Sequence, residues 1–231
     1  MANIIDINGT ETNSCIISTL NILNNSEIEL INRNSNVVKY KRRDVIFKQN
    51  TRTSHVMYLK SGLVKIYKEG RNNKAIILKM STPESFLGLM SVFGEDIHQY
   101  SASAVEISEI CYIDITTFKK IILQNGRYTL KLLNLISKDG LYIFNRLMDQ
   151  SHKQLPGRIA DVILYFSENI FNSHIFNFPL TRRELAELAG TTKESFIRTL
   201  TEFKNDRIIK LDGTRIEIIS MKIIKTLSQL G

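Results

Sequence analysis

Lys193, Glu194 and Arg198 fall together in the stretch TTKESFIRTLTEF. An arginine offers paired donors that match O6 and N7 of a guanine, and a carboxylate can accept from the amino group of a cytosine. Glu194 and Arg198 are one helical turn apart, so on a helix they share a side, opposite Phe196. Lys193 precedes them and could reach a base or a phosphate. The competing reading is an exposed i,i+4 Glu–Arg ion pair worth about 0.2–0.5 kcal/mol. Thr181, Arg182, Thr192 and Arg215 are candidates for phosphate contacts, which position a protein on a duplex without reading sequence. Each could equally be a solvated surface residue.

Two short helices must carry these groups. Leu185, Leu188 and Ala189 recur at the i, i+3, i+4 spacing of one buried helical face. Thr181 with Glu184 predicts a capping box, and Gly190 a left-handed end to that helix. Thr192 with Ser195, and Glu194 in the first turn, opens a second helix lined by Phe196, Thr199, Leu200 and Phe203. Small Ala186 lets the helices cross closely. This is the pattern of a helix-turn-helix whose second helix enters a major groove, although two helices around a glycine also make an ordinary helical corner. The residues beyond the second helix favour the groove reader. Residues 207–211 alternate, Asp212-Gly213 is a hairpin turn, and residues 215–219 alternate again, predicting a small wing.

The 231 residues suffice for one or two domains with a sizeable core. No apolar run approaches the roughly 18 residues of a membrane span, and the first residues show no secretory pattern, so a cytoplasmic protein with no membrane partner is expected. Net charge is +8, which favours a polyanionic partner, but from Pro156 onward there are only 11 Lys and Arg against 9 Asp and Glu. The local placement of Lys193 and Arg198 therefore matters more than the total. Cys15 and Cys111 are too few for a disulfide framework and are expected to be buried or incidental thiols.

Upstream, a polar start with short helical pieces such as Glu27 to Asn32 gives way to alternation from Val37. Strands are predicted in VVKYKRRDVIFKQN, in HVMYLKSGLVKIYKEG on either side of Ser61-Gly62, in AIILKM after a turn at 70–73, and at 101–105 and 109–113. Many short strands separated by turns suggest a sandwich or jelly roll. Then the period changes to 3.5. Leu133, Ile136, Gly140, Ile143 and Leu147 form a heptad seam on a helix from near Tyr128 past Met148. Gly140 costs about 1 kcal/mol against alanine there, and its place on the seam permits close approach of a partner helix. The seam suits dimerisation, or packing on the β domain. Leu155-Pro156-Gly157 breaks the helix and reads as a hinge, after which Ile159, Val162, Ile163 and Phe166 mark another amphipathic helix.

The order of roll, seam helix, hinge, GRIA helix and winged helix-turn-helix resembles the Crp/Fnr family of bacterial transcription regulators from about Val37 to Ser220. DVIFKQN with VMYLKSGLVKIYK resembles the start of the family's cyclic-nucleotide-binding roll. PGRIADVIL resembles the start of its DNA-binding domain, and TRRELAELAGTTKESFIRTLTEF its helix-turn-helix. The resemblance implies an α+β protein with a helical start and jelly roll at 1–126, a dimerisation helix at 127–154, and a winged helix-turn-helix at 155–231. It further implies a homodimer on double-stranded DNA, a palindromic site with a G·C-containing core, and RNA polymerase as a partner. A signal at the roll would shift the spacing of the two recognition helices, with the hinge at 155–157 absorbing the motion.

The sensor departs from the family's cyclic AMP pattern. In PESFLGLMSVFGEDIHQYSASA, Gly88 matches the cassette, but Leu89 stands where a glutamate is expected and Gln99 or Tyr100 near an arginine, before Ser101. A cyclic phosphate needs a cationic fork, so cyclic AMP is not the expected effector. Gly88, Leu89, Met90, Tyr100 and Ser101 are the candidate pocket for an unidentified small-molecule effector, hydrophobic or uncharged, unless they are core. Two cysteines cannot supply the four ligands of an iron–sulfur cluster within one chain. His55, His98, His152 and His174 lie in no ligand motif, so no metal or cofactor is assigned, with haem left open. No G-x-S-x-G, P-loop or H-E-x-x-H is present, and an enzyme is not expected. The competing functions are a regulator with no effector and a ligand-binding module that contacts protein.

Overall fold

A computed structural model describes Cys15 and residues 22–70 and 74–231. The N-terminal stretch is otherwise outside the described residues, as is the part of the predicted 70–73 turn beyond Gly70. The chain divides into two compact units. The first comprises residues 1–65 and 80–137, the second residues 66–79 and 138–231. The division passes through the long helix, whereas the sequence pattern suggests a boundary at each of its ends.

α1 (Asn25–Arg33), in the first unit, begins where Asn24 and Glu27 close a capping box. Eight strands come next: β1 (Ser35–Tyr40), β2 (Val45–Phe47), β3 (His55–Ser61), β4 (Val64–Glu69), β5 (Ala75–Ser81), β6 (Ser85–Leu87), β7 (Ser101–Ala104) and β8 (Ser108–Asp114). They form two four-stranded sheets, in the orders β1-β8-β3-β6 and β2-β7-β4-β5. The non-sequential order is that of a roll rather than a meander. The β3–β4 turn depends on Gly62 at φ +94°, where a Cβ would sit 2.5 Å from the carbonyl oxygen of Ile107.

Alternation places Val56, Tyr58, Cys111 and Ile113 on one face of the first sheet, with Tyr58 opposite Cys111 and Val56 opposite Ile113. Helices cover that face. α2 (Leu89–Phe93) contributes Leu89 and Val92, α3 (Ile115–Gln124) contributes Phe118 and Ile121, and α4 (Gly126–His152) contributes Tyr128 and Leu132. Phe86, Phe118 and Tyr128 meet edge to face. Cys15 and Cys111, expected as thiols, are instead joined as a disulfide with Cα atoms 5.8 Å apart. Both are buried in this core, Cys111 by its inward register on β8.

α4 runs unbroken through Gly140, where a side chain would meet open space. Of the expected seam, Leu133 and Leu147 are 53% and 63% exposed, while Ile136, Gly140 and Ile143 are half-buried. Ile136 packs on the first unit's core. The exposed large apolar residues of α4 are Leu130, Leu133, Leu141, Phe144, Leu147 and Met148. Exposure on this helix thus follows 130, 133, 144 and 147, while 136, 140 and 143 are partly covered.

The second unit continues with α5 (Leu155–Leu164), a π-helical turn over Tyr165–Ile170, β9 (Ile175–Asn177), α6 (Arg182–Ala189), α7 (Lys193–Asn205), β10 (Ile209–Asp212), β11 (Arg215–Ile218) and α8 (Met221–Leu230). The helix break falls just before Leu155, and Pro156 sits in the first turn of α5, where its missing N–H costs nothing. Gly157, expected as part of a hinge, is a packing residue: a Cβ there would stand 2.7 Å from the Cα of Gly231, at the end of α8. Ile159, Val162, Ile163 and Phe166 are buried, as their spacing predicts.

Candidate nucleic-acid interface

α7 is built by its ends and its buried side. Thr181 accepts from the Glu184 amide while Glu184 reaches back to the Thr181 amide, closing the capping box that starts α6. Gly190 ends α6 at φ +65°, a left-handed conformation that glycine adopts without a Cβ penalty. Thr192 accepts from the Ser195 amide at 3.2 Å and starts α7. Phe196, Thr199, Leu200 and Phe203 are buried and fix the rotation of α7 about its axis. Lys193, Glu194, Ile197, Arg198, Thr201 and Glu202 are therefore left outside.

On that face Glu194 and Arg198 do not pair with each other. Arg198 Nε approaches Glu202 Oε1 at 4.0 Å, with both side chains more than half exposed, and Glu194 has no ion pair among the described residues. An exposed pair of that length contributes little, so Arg198 is available to a partner.

The wing is a three-stranded sheet in the order β10-β11-β9. Gly213 makes its turn at φ +53°. The third strand, β9, goes beyond the two-stranded hairpin that the sequence predicts. The four phosphate candidates meet different fates. Thr181 and Thr192 both serve as caps. Arg182 donates to the carbonyl oxygen of Gly213, and its guanidinium lies 5.7 Å from the centre of the Phe178 ring. Burial lowers its pKa, and the side chain braces α6 to the wing turn. Arg215 is exposed and makes no ion pair among the described residues. Elsewhere in this unit Arg146 of α4 donates to the carbonyl oxygens of Ile77, Leu78 and Leu188, which ties α6 to β5. No sequence pattern marks that residue.

The candidate effector residues divide between core and partly covered positions. Gly88 caps α2 at φ +74°. Leu89 is buried in the apolar core with Tyr58 and Phe118, and Met90 is half-buried. Tyr100 lies 6.0 Å from Phe47, and the buried hydroxyl of Ser101 accepts from the Gln49 amide at 2.9 Å. Leu89, at the position where the family's cassette carries a glutamate, is thus a packing residue. His98, which no sequence motif marks, is 3% exposed and stacks on Phe47 at 4.0 Å, and its Nδ1 finds no partner among the described residues. Burial lowers its pKa to about 4. It borders a recess of about 420 Å³ lined also by Phe47, Arg52, His55, Met57 and Tyr112. Among the described residues no cluster of His, Cys, Asp and Glu is placed to hold a metal ion, and no helix is long and apolar enough to cross a membrane.

Residues 37–125 match the cyclic nucleotide-binding domain family and residues 157–227 the Crp-like helix-turn-helix domain family. The anaerobic regulatory protein of Bacillus subtilis is 21% identical over 200 residues, 84% of each chain. The CRP-like cAMP-activated global transcriptional regulator of Mycobacterium tuberculosis is 21% identical over 197 residues, 84% of this chain and 88% of that one. Among solved structures, FixK2 from Bradyrhizobium japonicum superposes with a TM-score of 0.77 at 17% identity, over 84% of this chain and 96% of that one.

Proposed function

Since the chain belongs to the Crp/Fnr family of bacterial transcription regulators, we propose that it is a homodimer that reads a palindromic site with a G·C-containing core. The observation that carries this reading is the state of α7: Glu194 and Arg198 stand exposed on a capped helix and are not paired with each other. Arg198 would donate to a guanine, Glu194 accept from a cytosine, and Lys193 reach a neighbouring base or phosphate. Arg215 at the wing and the amides at the start of α7 would hold the backbone. The exposed apolar stripe of α4, Leu130, Leu133, Leu141, Phe144, Leu147 and Met148, is the proposed dimer seam. It would set two copies of α7 on half-sites about 34 Å apart. Such a dimer acts in the cytoplasm, where the DNA is, with RNA polymerase as its partner.

Control by cyclic AMP is not part of this reading. The relatives' names point both to anaerobic regulation and to cAMP, so they select no effector for this chain. With Leu89 buried in the core, the reading is an uncharged effector bound elsewhere in the roll, or no effector at all. Selecting preferred sites from random duplexes with the purified protein, at two salt concentrations, tests the whole reading. The expected result is an enriched palindrome with a G·C core. Weak, salt-sensitive binding with no enrichment, unchanged by candidate ligands, would overturn it.

A further inference from the structure

The exposed face of α7 holds one side chain that hydrogen bonding to bases does not use. Ile197 is 39% exposed, adjacent to Arg198 and one turn beyond Glu194. A single exposed apolar residue is ordinary on a protein surface. This one stands in the middle of a face otherwise made of Lys193, Glu194, Arg198, Thr201 and Glu202. It is not one of the buried residues of the helix, which are Phe196, Thr199, Leu200 and Phe203. Nor is it there for helix stability, since a β-branched residue is a poorer helix former than leucine, glutamate or lysine. The next turn extends the apolar character. Thr201 donates its hydroxyl to the Ile197 carbonyl oxygen at 2.9 Å, so its proton is engaged with the backbone and its methyl group is the uncommitted part.

In the major groove each base edge is polar except for one group, the C5-methyl of thymine. Resting on the reading that α7 enters that groove, we propose that Ile197, with the methyl of Thr201, contacts a thymine methyl beside the base pairs bonded by Glu194 and Arg198. The contact discriminates in two ways. Cytosine lacks the methyl, and a purine would set a polar edge against isoleucine, where its hydrogen-bonding groups go unmatched.

Deoxyuridine tests this directly, because replacing thymine with it removes the methyl and nothing else. The duplex chosen by selection is remade with each thymine replaced in turn, and binding of the full-length protein is measured. The wild type should lose about three- to fivefold at one position per half-site, the worth of burying one methyl group. Ile197→Ala should bind the thymine and deoxyuridine duplexes alike at that position, whereas Ile197→Val should retain the difference. Circular dichroism and thermal melting of both variants check that α7 is folded. Equal sensitivity in wild type and Ile197→Ala, or none at any thymine, overturns the proposal. If Glu194→Ala and Arg198→Ala still shift the selected sequence, that failure belongs to Ile197 alone. If they do not, α7 is not the reader and both readings fall.

Discussion

α7 and the segment from Gly88 to Ser101 each hold residues marked for recognition, yet their side chains are in opposite states. On α7 the packing is done by Phe196, Thr199, Leu200 and Phe203, and Lys193, Glu194, Ile197 and Arg198 face outward. In the other segment packing has taken most of the candidates. Leu89 and Val92 belong to the core, His98 lies on Phe47, and Ser101 accepts from the Gln49 amide. The difference comes from length and setting. A helix of 13 residues has room for separate inward and outward faces, whereas the five residues of α2 do not. Where the two faces are separate, substitution can change recognition without changing the fold. Where they are not, it changes the fold first.

The largest expected effect lies in the second region. Leu89→Ala should cost about 2–5 kcal/mol of stability, the range for removing a buried leucine side chain. Glu194→Ala should stay within about 0.5 kcal/mol, as exposed substitutions do. Urea unfolding of the two variants measures both, and a Leu89→Ala protein as stable as the wild type would return Leu89 to the candidate pocket. Next in size, Arg198→Ala should weaken binding to the selected site by about 1–3 kcal/mol and relax the preference at one base pair per half-site. Its urea midpoint should not move. Equal losses on selected and random DNA would show that Arg198 touches phosphate rather than a base.

The same contrast governs how much of the molecule is legible in its sequence. α6 and α7 are legible because their signals are local: a 3.6-residue period, caps at Thr181 and Thr192, and a glycine between them. The long strands of the roll alternate and are legible for the same reason. β6 and β9 are three residues each, too short to show a period, and what makes them strands is a partner distant in sequence. α3 and α8 carry N-caps, Asp114 and Ser220, but each cap directly abuts a strand or the wing, whose alternation masks the start of the helix. The exposed stripe of α4 is half legible. A spacing of seven fits 133, 140 and 147 with either 136 and 143 or 130 and 144, and the sequence does not show that the core partly covers Ile136. The pairing of Cys15 with Cys111 spans 96 residues and has no local signal at all.

His98 sharpens the comparison through pH. Its folded pKa of about 4 lies below the ordinary 6.5 of an unfolded histidine. Between those values the unfolded chain holds a proton that the folded chain does not. The contribution is therefore complete above about pH 6.5 and is lost as pH falls toward 4, with a slope of at most about 1.4 kcal/mol per pH unit. His98→Phe keeps an aromatic ring against Phe47 and should flatten this part of the profile, as chemical denaturation at pH 7 and pH 5 would measure. A slope that persists unchanged in the variant would assign it to other groups.

The smallest expected effect separates two arginines that look alike in sequence. A phosphate contact releases a condensed counterion, so removing one lowers the slope of log K against log salt by about one. Arg215 is exposed at the wing, and Arg215→Ala should lower the slope by about one per protomer while leaving stability alone. Arg182 is held by the Gly213 carbonyl and the Phe178 ring. Arg182→Ala should leave the slope unchanged and cost about 1 kcal/mol of stability, the worth of one hydrogen bond. Binding titrations across a salt series, beside unfolding curves for both variants, give the two readouts independently. Were Arg182→Ala to take the slope and spare the stability, the brace would be incidental and α6 would join α7 on the DNA. The expected result keeps α6 as the part that holds the wing, and leaves contact with DNA to the residues that packing has not claimed.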